Sequence, residues 1–161
     1  MDELADGDVP QFDAHLPVFT QISTPLQASI MRNDVPNCER LLKRGCHPDE
    51  MTEDGGMFPL FLAAQEGLQD VCTLLISYRA NINLTRSDGA TALHVAAQRG
   101  HHPICQLLLN FNANPNVVTK TGLTPLMCAA YSGHAGIVAL LLARQTDWRL
   151  EDSQGRDALY Y

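Results

Sequence analysis

The sequence lacks a long apolar run and has no basic residue near its start. No stretch approaches the roughly 18 to 20 apolar residues that a membrane-spanning helix needs. The chain opens with Met1-Asp2-Glu3, where a secretory signal would carry basic and then apolar residues. These absences predict a cytoplasmic or nuclear protein that does not insert into a membrane.

Positive charge is also scarce. The formal net charge is −7, and five of the 18 acidic residues precede residue 20, whereas all 11 Lys and Arg residues follow it. From residue 20 onward the chain is therefore close to neutral, without the basic stripe that contact with a phosphate backbone requires. We expect no direct nucleic-acid partner.

The five cysteines include no Cys-x-x-Cys pair and are odd in number. This argues against both a disulfide framework and a zinc ribbon, and favours reduced thiols.

What the sequence does contain is a period of 33 residues. Three sets of residues keep this spacing: Gly89, Gly122 and Gly155; Gly67, Gly100 and Gly133; and Leu60, Leu93, Leu126 and Leu159. Because independent positions share one period, the chain is best explained as successive copies of one structural unit.

Set in register, three copies read MFPLFLAAQEG at 57–67, ATALHVAAQRG at 90–100 and LTPLMCAAYSG at 123–133. An apolar stretch follows each copy, and Asn-x-Asn closes two of them at 81–83 and 114–116. The pattern resembles the ankyrin repeat from about Ser23 to Tyr161. The resemblance implies an all-α solenoid of stacked helix-turn-helix units with projecting β-hairpin loops.

The repeat frame predicts the domain organisation. Residues 1–19 form an acidic, partly flexible segment, and residues 20–161 form the repeat domain. The expected repeats cover about 20–52, 53–85, 86–118 and 119–151, with a partial fifth repeat at 152–161. The first copy is degenerate, since Ser29-Ile30 replaces Ala-Ala and Asn33 replaces glycine, which suits a capping repeat.

Local sequence predicts how each unit is built. Thr24, Thr91 and Thr124 are expected to cap the first helix of a pair, and glycine or Asn33 to end it with a positive φ. We expect Leu108 on the second helix to lie in the core, so that Leu108→Ala costs roughly 2 to 5 kcal/mol.

No catalytic, metal or cofactor site is predicted. His101 and His134 recur one period apart, so they are expected to do the same structural job in each copy. Stacked copies also lie too far apart, at roughly 10 Å, for the two side chains to share an ion. Cys38, Cys72 and Cys105 share one frame position and are expected in the core, whereas Cys128 is expected to be partly accessible.

In ankyrin proteins, partners contact hairpin tips and the exposed, concave side of the inner helices. The resemblance implies the corresponding positions here, where the copies differ most from one another. Trp148 is added as an exposed anchor, although packing against the rest of a fifth repeat is the favoured alternative. The candidate protein-binding residues are Glu53, Asp54, Met57, Gln65 and Glu66; Ser87, Asp88, Ala90, Gln98 and Arg99; Lys120, Thr121, Leu123, Tyr131 and Ser132; and Trp148.

The predicted function is that of a scaffold or adaptor that binds another protein or a peptide segment. Two alternatives are a targeting part of a larger protein, such as a ubiquitin-ligase receptor or a regulated enzyme, and a small inhibitor of an enzyme. The resemblance also implies that Asn83 and Asn116 are candidates for asparaginyl hydroxylation. Weak self-association through the open C-terminal repeat is a further expectation.

Overall fold

The computed structural model describes residues 24–52 and 56–161, and these residues form eight helices and no strand. None of these helices is long and apolar enough to cross a membrane. The predicted N-terminal segment, 1–19, lies outside the described residues. The helices are α1 (Pro25–Met31), α2 (Val35–Lys43), α3 (Pro59–Gln65), α4 (Gln69–Ser77), α5 (Ala92–Arg99), α6 (His102–Asn110), α7 (Pro125–Tyr131) and α8 (Ala135–Leu142).

The helices are arranged in two parallel rows. Each odd-numbered helix packs against the even-numbered helix that follows it, so that the chain forms four helix pairs. The odd-numbered helices, called inner helices below, also pack side by side, and the even-numbered outer helices do the same. Contacts therefore run mainly between neighbouring pairs, as the predicted solenoid requires.

Threonine occupies the predicted cap position of three inner helices. The hydroxyls of Thr24 and Thr124 accept hydrogen bonds from the backbone N–H of Gln27 and Met127, at 3.3 and 3.2 Å. Thr91 is the N-cap residue of α5. In the second repeat Phe58 takes this place and provides no side-chain cap. The predicted caps are confirmed, and α3 begins without this stabilisation.

The predicted left-handed ends of the inner helices are also confirmed. Gly67, Gly100 and Gly133 have φ values of 74, 80 and 74°, and Asn33 has 52°. Two of the glycines are required for a second reason. A Cβ atom on Gly100 would lie 2.7 Å from Cε1 of His134, and one on Gly67 would lie 2.8 Å from Cε1 of His101.

The core runs between the two rows of helices. The predicted core residues Leu108, Cys38, Cys72 and Cys105 are all fully buried, as expected. Burial raises the pKa of the Cys72 and Cys105 thiols to about 12, so these cysteines remain protonated and unreactive.

The expectation that Cys128 is partly accessible was wrong. Cys128 is 1% exposed and forms a small apolar cluster with Leu123 and Met127. Ala158 and Tyr161, from the last residues of the chain, pack against this cluster and cover it. Burial also raises the pKa of the Cys128 thiol.

Hairpin-like turns connect the helix pairs. In the turns before α5 and α7, and in the turn after α8, one backbone N–H bonds a carbonyl four residues on: Arg86 to Ala90, Thr119 to Leu123 and Asp152 to Arg156, at 2.8 to 3.0 Å. In the turn before α3 the corresponding bond runs from Thr52 to Met57, five residues on, at 3.0 Å. Neighbouring turns are joined by backbone bonds from Lys120 to Asp88 and from Ser153 to Thr121, both 2.8 Å. The turns therefore stack in the same register as the helices.

Candidate functional site

The inner helices α3, α5 and α7 expose only their C-terminal ends. In α5 every residue from Ala92 to Ala97 is buried, whereas Gln98 is half-buried and Arg99 is exposed. The end of α3 repeats this arrangement with half-buried Gln65 and exposed Glu66. Equivalent positions of the four repeats thus make two adjacent rows. The first row is Arg32, Glu66, Arg99 and Ser132, and its three charged residues are called the charged row below. The second row is Met31, Gln65, Gln98 and Tyr131.

Two histidines fix the relative positions of these ends. The Nε2–H group of His101 donates to the carbonyl oxygen of Gln65 at 3.1 Å, and that of His134 donates to Gln98 at 3.0 Å. Each histidine lies at the start of an outer helix and reaches back to the preceding repeat. The prediction that both residues do the same structural job is confirmed. Among the described residues no group of His, Cys, Asp or Glu side chains is arranged to hold a metal ion.

The tips of the turns, which precede the inner helices, also carry polar groups. Ser87, Lys120 and Thr121 are exposed. Asp88 is half-buried, because its carboxylate accepts from the backbone N–H of Ala90 at 3.0 Å and lies 3.4 Å from the Arg86 guanidinium. Glu53 and Asp54, the predicted acidic tip, lie outside the described residues.

Family comparison agrees with this geometry. A family model for ankyrin repeats (3 copies) matches residues 10–86 and 79–152. The chain belongs to the ankyrin-repeat family. Ankyrin repeats in general are protein-protein interaction modules. A search of curated proteins finds no match.

Two of the predicted surface residues are not on the ankyrin surface. Ala90 is fully buried in the main core, and Leu123 is 7% exposed. Leu123 is covered because Tyr161 and Ala158 pack on it. Met57, at the same frame position, is half-buried, and its carbonyl accepts from the Gln27 side chain at 3.1 Å. The residue directly before the N-cap of an inner helix is thus largely interior in this chain.

Trp148 is exposed to 40%. The Arg149 guanidinium lies over its ring, 5.1 Å from the ring centre. Together the two side chains present an aromatic surface with a cation at its edge, which is a combination enriched in binding hot spots. Trp148 therefore stays among the surface candidates.

A ladder of hydrogen bonds joins the loops that end each ankyrin repeat. The side-chain oxygens of Asp49, Asn83 and Asn116 accept from backbone N–H groups of the next repeat, at Asn81, Asn114 and Asp147, over 2.8 to 2.9 Å. Asn83 and Asn116 therefore hold neighbouring repeats together. Their hydroxylation stays a prediction.

Sequence reasoning missed three features. Arg32 belongs to the charged row, and extending the frame into the degenerate first repeat would have found it. His94 is buried between two repeats, with its Nε2–H bonded to the Leu123 carbonyl at 3.1 Å. Asp152 is buried beside Arg156 and Tyr161, at 2.7 and 2.6 Å, and no periodic signal marks this cluster.

The Asp152 cluster closes the C-terminal end of the described stack. Burial of the carboxyl group tends to raise its pKa, but the hydrogen bonds from Tyr161 and Arg156 outweigh burial and hold the pKa of Asp152 well below its usual range. The ionised carboxylate thereby fixes Tyr161, which in turn covers Leu123 and Cys128.

Proposed function

We propose that this ankyrin-repeat protein is a scaffold or adaptor that binds a partner protein or peptide segment through its inner-helix ends and turn tips. The observation that carries the proposal is that equivalent positions of successive repeats are similar where they are buried and differ where they are exposed. The buried positions carry similar residues in successive repeats. The exposed ends instead carry Arg32, Glu66, Arg99 and Ser132 at one position, and Met31, Gln65, Gln98 and Tyr131 at the position before it. Stacking accounts for the first group, and recognition of a partner accounts for the second.

The chemistry of the exposed ends suits a protein partner. Tyr131 is 43% exposed and offers an amphipathic ring, and Arg99 offers a guanidinium about one repeat away. Tyrosine and arginine are enriched in the energetic centres of protein interfaces. The two residues also project from helix ends rather than from loops, so their positions are defined before a partner arrives.

Affinity capture from cell lysate tests the proposal. The wild-type chain is compared with an Arg99→Glu/Tyr131→Ala variant and with a control variant, Thr73→Glu/Ala139→Ser, whose changes lie at exposed positions of outer helices. All three chains must give the same helical circular dichroism. We expect quantitative mass spectrometry to find partners that the wild type and control retain and the surface variant loses. Equal retention by all three chains would contradict the proposed surface.

A further inference from the structure

The charged row alternates in sign across three consecutive repeats. Arg32, Glu66 and Arg99 occupy equivalent positions at the ends of α1, α3 and α5, and all three side chains are exposed. Within the described part of the chain none of them forms an ion pair. The Glu66 carboxylate receives one hydrogen bond, from the neighbouring Gln65 amide at 3.2 Å. The row thus presents positive, negative and positive charge to the surroundings.

The spacing of the row matches an extended peptide. Packed helices lie about 8 to 10 Å apart, so equivalent ends of neighbouring inner helices are separated by about the same distance. An extended chain advances about 3.3 Å per residue, so three peptide residues span one repeat. A peptide laid across the inner-helix ends would therefore bring every third side chain opposite a charge of the row.

The row is also held rigidly from Glu66 onward. The bonds from His101 and His134 end on the carbonyls of Gln65 and Gln98, the residues directly before Glu66 and Arg99. These bonds fix the distances from the end of α3 to that of α5 and from α5 to α7, so that Glu66, Arg99 and Tyr131 lose little conformational freedom on binding. At the step from Arg32 to Glu66, Leu68 stands in place of the histidine. A rigid row favours peptides with the right charge spacing over peptides with the same charges in another order.

We propose that the charged row selects an extended peptide segment with acidic, basic and acidic side chains at every third position, opposite Arg32, Glu66 and Arg99. An apolar side chain one further step along the peptide lies against Tyr131, which is the exposed aromatic residue at the end of α7. This inference rests on the proposed function and specifies the partner of the same surface. Because single exposed ion pairs contribute little, selectivity comes from the register of the three pairs together.

Two synthetic peptides of identical composition test the register. The matched peptide is EPSKPSEPSF, in which proline favours an extended chain, and the control is EPSEPSKPSF, in which the last two charges are exchanged. Binding of each labelled peptide to the full chain is measured by fluorescence anisotropy at low salt. We expect the matched peptide to bind about tenfold more tightly, and the difference to shrink at about 1 M salt.

A charge exchange in the protein provides the decisive comparison. The Glu66→Lys/Arg99→Glu variant turns the row into positive, positive and negative, so it is expected to prefer EPSEPSKPSF over EPSKPSEPSF. Its circular dichroism must equal that of the wild type. A reversed preference supports the inference. Equal binding of both peptides to the wild type, an unchanged preference in the variant, or no binding of either peptide would overturn it. The proposed function would still be judged separately by the affinity capture.

Discussion

At the scale of single residues, His94 shows how one buried side chain joins two repeats. Its Nδ1 atom accepts from the backbone N–H of Thr91 at 3.2 Å, and its Nε2–H donates to the Leu123 carbonyl at 3.1 Å. The first interaction requires the neutral ring, because a proton on Nδ1 would remove the acceptor, whereas the Nε2–H donor is present in either protonation state. Burial accordingly lowers the pKa of His94 to about 4.

His94 therefore makes stability depend on pH. Since the folded pKa of about 4 lies below the ordinary value of 6.5, protons bind preferentially to the unfolded chain between these values. The contribution of His94 to the free energy of unfolding is complete above about pH 6.5 and falls by up to about 1.4 kcal/mol per pH unit towards pH 4. Urea melts across this range should show the loss.

The matched control for this prediction is His94→Gln, because Gln27 occupies the same frame position and donates to the Met57 carbonyl. We expect the pH dependence of this variant to be shallower by the His94 contribution. A wild-type His94 resonance that titrates near pH 6.5 in NMR spectra would show that the assigned hydrogen bonds are wrong.

A second residue-scale prediction concerns the ends of the outer helices. Arg79 and Gln145 have φ values of 64 and 60°. They occupy the same position in their repeats as Gly45 in the first repeat, where φ is 94°. Because this region is strained for residues with a Cβ, Arg79→Gly and Gln145→Gly should each raise the free energy of unfolding by about 0.5 to 1 kcal/mol. Asn112→Gly should gain less, since asparagine tolerates φ near 63°. Chemical denaturation that shows no gain in any variant would contradict the strain.

At the scale of elements, glycine and histidine act together between repeats. Gly100→Ala is expected to lower the free energy of unfolding more than Gly133→Ala does, although both glycines have positive φ. A Cβ at residue 133 would meet no atom within 4 Å, so this substitution should cost only about 1 kcal/mol of backbone strain. A Cβ at residue 100 would also displace the His134 ring and break its bond to Gln98.

We expect Gly100→Ala to lower the free energy of unfolding by about 2 to 3 kcal/mol in urea melts, since the lost hydrogen bond adds to the backbone strain. The control for the ring is a Gly100→Ala/His134→Ala double variant. Its loss should be smaller than the sum of the two single losses, because the clash is absent. Equal losses for Gly100→Ala and Gly133→Ala would mean that His134 adjusts freely.

The outer helices supply a test of core packing. Leu108 is fully buried in α6, whereas its neighbour Leu107 is half-buried. Leu108→Ala should lower the free energy of unfolding by roughly 2 to 5 kcal/mol, and Leu107→Ala by distinctly less. A loss below about 0.5 kcal/mol for Leu108→Ala in a urea melt would place the core elsewhere.

The sequence predicted the elements well because the repeat presents each signal several times. Thr91 and Thr124 both precede the first residue of an inner helix, and Gly67 and Gly100 both follow the last. Because each helix boundary recurs in this way, a weak local preference predicts it reliably. The errors fall where a contact is not periodic. Leu123 and Cys128 are buried by Tyr161, which lies near them only after folding. Arg32 was missed because the first repeat was interpreted only as a degenerate cap.

At the scale of the whole molecule, we propose that stability and recognition depend on different positions of the repeat. Helix pairs pack mainly on their neighbours, so the buried positions must repeat, and the exposed ends are free to differ. The candidate surface is therefore defined by the frame, whereas its charge pattern is specific to this chain. The exact boundaries proposed for the repeats stay a prediction.

Site-specific photo-crosslinking tests the central claim, that partners bind the inner-helix ends, most directly. A benzophenone amino acid is placed at residue 99 in one chain and at residue 73, at an exposed position of α4, in another. Both chains are irradiated in lysate after matching circular dichroism. We predict partner adducts from residue 99 and few or none from residue 73. Adducts formed mainly from residue 73 would contradict it, because recognition would then lie on the outer helices.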